Sequence, residues 1–233
     1  LTAPRLQPFG EQIWIAEGTE TAVAGFRYPT RMAVIRLRDG GLFVWSPIVY
    51  TEALGAEVAA LGEVRCLVAP NSLHHLFLEA WREAFPKAKL YAAPGLRRRR
   101  PDLVVDADLG DQPPPEWAQD IDQAPVPGNR ITTEVVFFHR RSGTVIFTDL
   151  IQHFPHGWFS GWRALVARLD LMVAPEPAVP RKFRLAFVDR RTARAAIRRI
   201  LAWPCEKILM AHGAAVEQDG RAFIARSFRW LRP

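Results

Sequence analysis

The sequence predicts an α/β protein built in layers, and three observations carry that reading. Strand-like runs crowd residues 12–50, and helical and strand-like segments alternate after them. Two tight turns, Arg38-Asp-Gly-Gly41 and Arg140-Arg-Ser-Gly143, each join a pair of β-branched and aromatic runs, with glycine supplying the positive φ that hairpins need. Three strand-like runs end on polar groups, at His74/His75, at Asp149 and at His212. At 233 residues the chain is long enough to bury one sizeable core, and a single domain over residues 1–233 is expected.

Gln12–Ala16, Met32–Leu37 and Leu42–Trp45 read as strands, and Ser46-Pro47 ends the last of them. Thr51–Leu61 reads as an amphipathic helix stopped by Gly62. Val64–Ala69 is a buried strand broken only by Arg65, and Pro70 ends it because proline lacks the amide a ladder or helix needs. A helix is expected from Leu73, where Leu73, Leu76, Phe77, Ala80, Trp81 and Ala84 recur at helical spacing until Pro86. Lys89–Ala92 is a short strand before Pro94-Gly95.

Residues 101–128 look least regular, an acidic connection rich in proline at 113–115, 125 and 127. Glu134–His139 and Thr144–Thr148 are strands around the second tight turn. Ile151–Leu171 is aromatic-rich and is expected to serve as core or as an oligomer contact, centred on Trp158–Trp162. Arg190–Trp203 is an amphipathic helix, Lys207–Ala211 a strand running into His212-Gly213, and Arg221–Leu231 a closing helix.

The formal net charge of +7 rests mainly on arginine. The run Arg97–Arg100 lies between Gly95 and Pro101 without interleaved aromatics, so a solvated basic loop is expected and no nucleic-acid partner. No apolar run approaches the roughly 20 residues that cross a bilayer, and no secretory leader is evident. Cys66 and Cys205 sit in apolar settings as small core residues. Together these make a cytoplasmic protein without a membrane partner the expectation.

Neighbouring histidines are most often incidental, one ring solvated and the other satisfied by the fold. Here the pair falls where a strand gives way to a helix, a usual place for ligands at the edge of a sheet. Histidines and a carboxylate at converging strand ends are what a divalent metal requires.

The markers Pro29-Thr-Arg-Met32, Gly40-Gly-Leu-Phe-Val-Trp-Ser-Pro47, Pro70-Asn-Ser-Leu-His-His75, Glu134-Val-Val-Phe-Phe-His139, Thr148-Asp149 and Ala211-His-Gly213 are spread over nearly the whole chain. In them the chain resembles the metallo-β-lactamase fold superfamily, in a branch of small bacterial proteins classed only as a domain of unknown function. The resemblance implies a four-layer αββα sandwich with its site at the edge between two sheets. Laid on the superfamily's HxHxDH pattern, Pro70 and Ser72 fall on the two leading histidines, His74 on the aspartate and His75 on the last histidine. Asn129 falls on the next histidine, while Asp149 and His212 keep the later two positions.

By that resemblance one metal position is lost, its ligands replaced by Pro70, Ser72 and Asn129. The other is retained as His74, His75, Asp149 and His212. One divalent ion is therefore expected, zinc by its donor set, with iron or manganese if the site is more open. The implied function is a mononuclear metal-dependent hydrolase acting on a small molecule, with Asp149 as fourth ligand or as general base. Asn129, His153 and His156 are expected to contact substrate at the mouth. The competing reading is a binding or scaffold protein with a structural metal or none, touching its partner through Trp158–Trp162.

Overall fold

The structure, a computed structural model, describes residues 4–173 and 178–233. Its first strands are β1 (Gln7–Gly10), β2 (Ile13–Glu17), the small hairpin β3 (Thr21–Val23) and β4 (Phe26–Tyr28), then β5 (Arg31–Arg36) and β6 (Leu42–Trp45). Helix α1 (Glu52–Leu61) leads to β7 (Val64–Ala69), and α2 (Leu78–Ala84) to β8 (Lys89–Ala92). The short helix α3 (Leu96–Arg99) precedes β9 (Ala107–Asp108), β10 (Ile121–Val126), β11 (Glu134–His139) and β12 (Thr144–Phe147). Helices α4 (Gly161–Leu169), α5 (Arg181–Ala186) and α6 (Arg190–Leu201) follow, then β13 (Lys207–Met210) and α7 (Gly220–Ser227).

Two principal sheets form, in the orders β1-β2-β5-β6-β7-β8-β9 and β10-β11-β12-β13. The tight turn at Gly40, with φ 86°, makes β5 and β6 antiparallel neighbours. Crossing over through α1 and then α2 makes β6, β7 and β8 parallel, since a parallel pair needs a long return. Strands β10, β11 and β12 form a meander, and β13 returns parallel to β12.

The side chains of the central strands alternate between two apolar environments. Ile35, Phe43, Cys66 and Val68 point between the sheets, where they meet Val135, Phe137, Ile146 and Leu209. Val34, Val44, Leu67 and Leu90 point the other way, against Leu54 and Val58 of α1 and Leu78 and Trp81 of α2. On the far side Val136, Phe138, Val145 and Ile208 meet Phe183, Ile197, Ile200 and Ile224 of the later helices. Burial on both faces explains why these strands read as continuous apolar runs. The layers are helix, sheet, sheet, helix, as the sequence led one to expect.

Several local expectations are corrected. Helix α2 starts at Leu78, not Leu73, because Asn71 Oδ1 accepts the N–H of Leu73 at 2.8 Å and of His74 at 3.1 Å. That local turn competes with the helix and leaves both histidines in an irregular loop. The proline-rich connection ends in a true six-residue strand, β10, which pairs with β11 through Pro125 itself. It can do so because β10 is an edge strand. The basic run is a turn of helix anchored by buried Leu96, with Arg97 bonded to Asp108 and Arg100 to Asp102. Within Ile151–Leu171 only Gly161–Leu169 is helical, and Phe154 and Phe159 join Ala167 and Met172 in a small core beneath the β3–β4 hairpin. Among the described residues no helix is long and apolar enough to cross a membrane.

Candidate metal centre

Three of the expected ligands converge. His74 lies in the loop after β7, Asp149 two residues past β12 and His212 two residues past β13, so both sheets deliver a residue to one spot. His74 Nε2 is 3.3 Å from Asp149 Oδ2, and His212 Nε2 is 3.2 Å from Asp149 Oδ1. One donor atom from each of the three lies within 4.8 Å of the other two.

The far nitrogens of both rings are fixed. His212 Nδ1 lies 2.8 Å from the carbonyl oxygen of Pro29. A carbonyl only accepts, so Nδ1 carries a proton and Nε2 is the nitrogen turned toward Asp149. His74 Nδ1 lies 2.8 Å from Ser46 Oγ. Ser46 holds φ at 50°, an uncommon backbone for serine, and its N–H still donates to Val68 at 2.9 Å. The strain falls where the hydroxyl must meet the imidazole.

Asp149 is held from several sides. Asn71 Nδ2 donates to its Oδ2 at 2.7 Å. Its own N–H donates to Glu134 Oε2 at 2.7 Å, and Glu134 also takes the N–H groups of Thr148 at 2.7 Å and Leu150 at 3.0 Å. Burial, and then the charge on Asp149, pushes the fully enclosed Glu134 carboxyl up to about 8 against those three donors. Burial also opposes charge on Asp149, yet the imidazoles of His74 and His212 hold its carboxyl well below the usual carboxylate range.

The backbone at His212 is clamped as well. Arg31 Nη1 donates to the carbonyl oxygens of Met210 at 2.5 Å and Gly213 at 2.7 Å, while its Nη2 pairs with Glu17 at 2.6 Å. His153 donates its N–H to the carbonyl oxygen of His212 at 3.1 Å. Gly213, at φ 129°, presses so closely on the His153 backbone that no Cβ fits between them.

The structure does not bring His75, expected as a fourth ligand, to this cluster. Its Nε2 accepts from Arg99 Nε at 3.2 Å and its Nδ1 faces Arg100 Nη1 at 3.3 Å. Both histidines border the same cleft, but only His74 is turned onto Asp149. Burial and then the two arginines lower the pKa of His75.

The positions read as lost ligands are occupied structurally. Ser72 Oγ bonds Thr132 Oγ1 at 3.0 Å, and the Pro70 carbonyl oxygen accepts from Val135 at 2.8 Å. Asn129 donates from Nδ2 to Phe183 at 2.9 Å and accepts from Ile131 at 2.9 Å, which ties a loop together. Of the three side chains expected at substrate, Asn129, His153 and His156, none lines the cleft over the cluster. Gln152 and Lys182 do instead. Reading the sequence missed Ser46, Asn71, Arg31 and Glu134 as parts of the site. All four lie inside the stretches that carried the resemblance.

Two imidazoles and a carboxylate match the three-ligand sets of catalytic zinc sites, which keep a further position open. The fixed Nδ1 atoms supply the outer support such ligands ordinarily have. The residues present fit a divalent metal ion.

A family model described as "Domain of unknown function (DUF4336)" matches residues 10–158. Among solved structures the chain is similar to a metallo-β-lactamase from Pontibacter korlensis, at 11% identity and a TM-score of 0.66, covering 99% of each chain. It is similar to the metallo-β-lactamase FIM-1 from Pseudomonas aeruginosa in its mono-zinc form, at 14% identity and a TM-score of 0.62, covering 100% of this chain and 98% of that one. It is also similar to the Flv1 flavodiiron core from Synechocystis sp. PCC6803, at 13% identity and a TM-score of 0.63, covering 99% of this chain and 62% of that one. No curated protein matches the chain. At these identities the likeness shows the fold: it is that of the metallo-β-lactamases.

Proposed function

The chain belongs to the DUF4336 family, and from that premise we propose that it is a mononuclear metal-dependent hydrolase. The observation that carries the reading is the approach of two imidazole Nε2 atoms, at 3.3 Å and 3.2 Å, to the two oxygens of one buried carboxylate. His74, Asp149 and His212 would hold the ion, zinc by the chemistry of the donors. Bound there, zinc would lower the pKa of a coordinated water toward about 7 and polarise a carbonyl or phosphoryl oxygen.

The protein's own groups do the rest. Pro29 and Ser46 fix the rings, so that Nε2 and not Nδ1 is offered by each. Asn71 holds the Asp149 carboxylate through Oδ2 and Glu134 holds its backbone, while Oδ1 faces His212. Leu73, Phe77 and Phe183 line the cleft above and exclude water from its walls. Lys182, whose Nζ donates to Tyr28 Oη at 3.0 Å and pairs with Asp170 at 3.5 Å, places a polar group on the same wall.

The test is elemental analysis of protein purified without added metal, followed by turnover of ester, lactone and phosphoester substrates. One zinc per chain with metal-dependent turnover is expected. A full metal site with no turnover across the panel would assign the metal a structural role. Absence of metal affinity would end the reading.

A further inference from the structure

We propose that the cleft takes an amphiphile, with a single alkyl chain along its walls and the polar group at the His74, Asp149 and His212 end. This deepens the hydrolase reading by naming a substrate class. It rests on that reading for the reaction only, not for the binding.

The cleft holds about 550 Å³, within the range of small-molecule sites. Its chemistry is divided. The three candidate ligands share it with Tyr28, whose ring lies 5.2 Å from that of His212, and with Lys182 on Tyr28. Gln152, three residues beyond Asp149, belongs to the same wall. It is only 1% exposed and closes that wall.

The remaining wall is apolar and carries on to the outside. Phe26, Leu73, Phe77, Met172 and Phe183 line the interior. At the mouth stand Val23, Leu76, Ile131 and Val166, which are 61%, 59%, 40% and 40% exposed. Ten large hydrophobic residues are exposed among the described residues, and these four border one cleft. Three more, Trp162, Leu165 and Leu169, share α4 with Val166. Single exposed hydrophobics are ordinary, but their concentration at the lip of one cavity marks a binding site. A second copy of the chain or a bilayer would cover the lip and leave the apolar interior unmet. One chain with a polar head meets both.

The experiment uses primary alkanols from butanol to decanol, each an uncharged head on one chain, titrated by calorimetry into the protein as purified. Affinity should rise about three- to fourfold per added methylene until the walls are covered. Val166→Ser and Leu76→Ser should each weaken octanol about five- to tenfold at an unchanged melting temperature, because both side chains are exposed. Affinity indifferent to chain length, or variants that bind octanol like the parent, would overturn the proposal. So would binding to phosphatidylcholine vesicles without uptake of dissolved alkanols, which would assign the lip to a bilayer. Chain-length-dependent binding without turnover of matching esters would sink the hydrolase reading alone. Turnover of short esters with no chain-length dependence would do the reverse.

Discussion

Arg31 Nη1 reaches from the first sheet to the carbonyl oxygen of Gly213 at 2.7 Å, one residue past His212. The same nitrogen takes the Met210 carbonyl oxygen at 2.5 Å, so one guanidinium brackets the histidine from both sides in sequence. Arg31→Met keeps the length of the side chain and removes the donors. It should cost about 2–3 kcal/mol of stability, since two carbonyls lose a charged partner. Zinc affinity should fall about ten- to hundredfold as the support of His212 loosens. Urea unfolding and competition against a chromogenic chelator measure the two effects.

His74→Ala and His212→Ala should each remove the metal, and His75→Ala should keep it, because only the first two rings face Asp149. Plasma emission analysis after dialysis reads this directly. Two metal equivalents in the parent, or a metal-free His75→Ala protein, would refute the three-ligand assignment.

Asn71 has no exposed surface and serves three partners, the N–H groups of Leu73 and His74 and the Asp149 carboxylate. Asn71→Ala should destabilise the protein by about 1–3 kcal/mol. It should also weaken zinc binding while leaving far-ultraviolet circular dichroism unchanged, because the turn it sets lies outside the regular elements.

His139, far along β11 from the site, gives the fold a pH dependence of its own. Burial lowers its pKa from 6.5 to about 4, and its Nδ1 pairs with Ser142 Oγ at 2.8 Å. The unfolded chain takes up the proton near 6.5 and the folded chain resists it. The stabilisation is therefore complete above pH 6.5 and is lost as pH falls toward 4, about 3 kcal/mol in all. His139→Gln should flatten that slope, seen as urea midpoints that change less between pH 7 and pH 4.5 than the parent's.

The layers were legible in the sequence because strands buried on both faces leave continuous apolar runs, as Cys66–Ala69 and Val135–Phe138 do within β7 and β11. Asp149 and His212 were legible because each directly follows such a run. The choice between His74 and His75 was not. It depends on which way a loop turns, and the turn is set by Asn71, whose side chain reads equally well as an ordinary helix cap. Arg31 and Glu134 were hidden for another reason. Their partners are backbone groups 182 and 15 residues away, and backbone groups leave no trace in composition. Substrate contacts were sought among histidines and an asparagine, whereas the cleft is walled mainly by Leu73, Phe77 and Phe183, which look like any core residues.

Pro125 bears on how copies of the chain behave toward one another. It stands opposite Val135, whose N–H donates to Pro70 and not across the ladder. By the alternation of antiparallel pairs, the nitrogen of Pro125 faces away from β11, toward the open side of the sheet. A strand arriving there would meet no donor at Pro125, next to last in β10. At Pro125 the β10 edge therefore lacks one of the hydrogen bonds an added strand would need, a device that natural sheets use against edge-to-edge pairing.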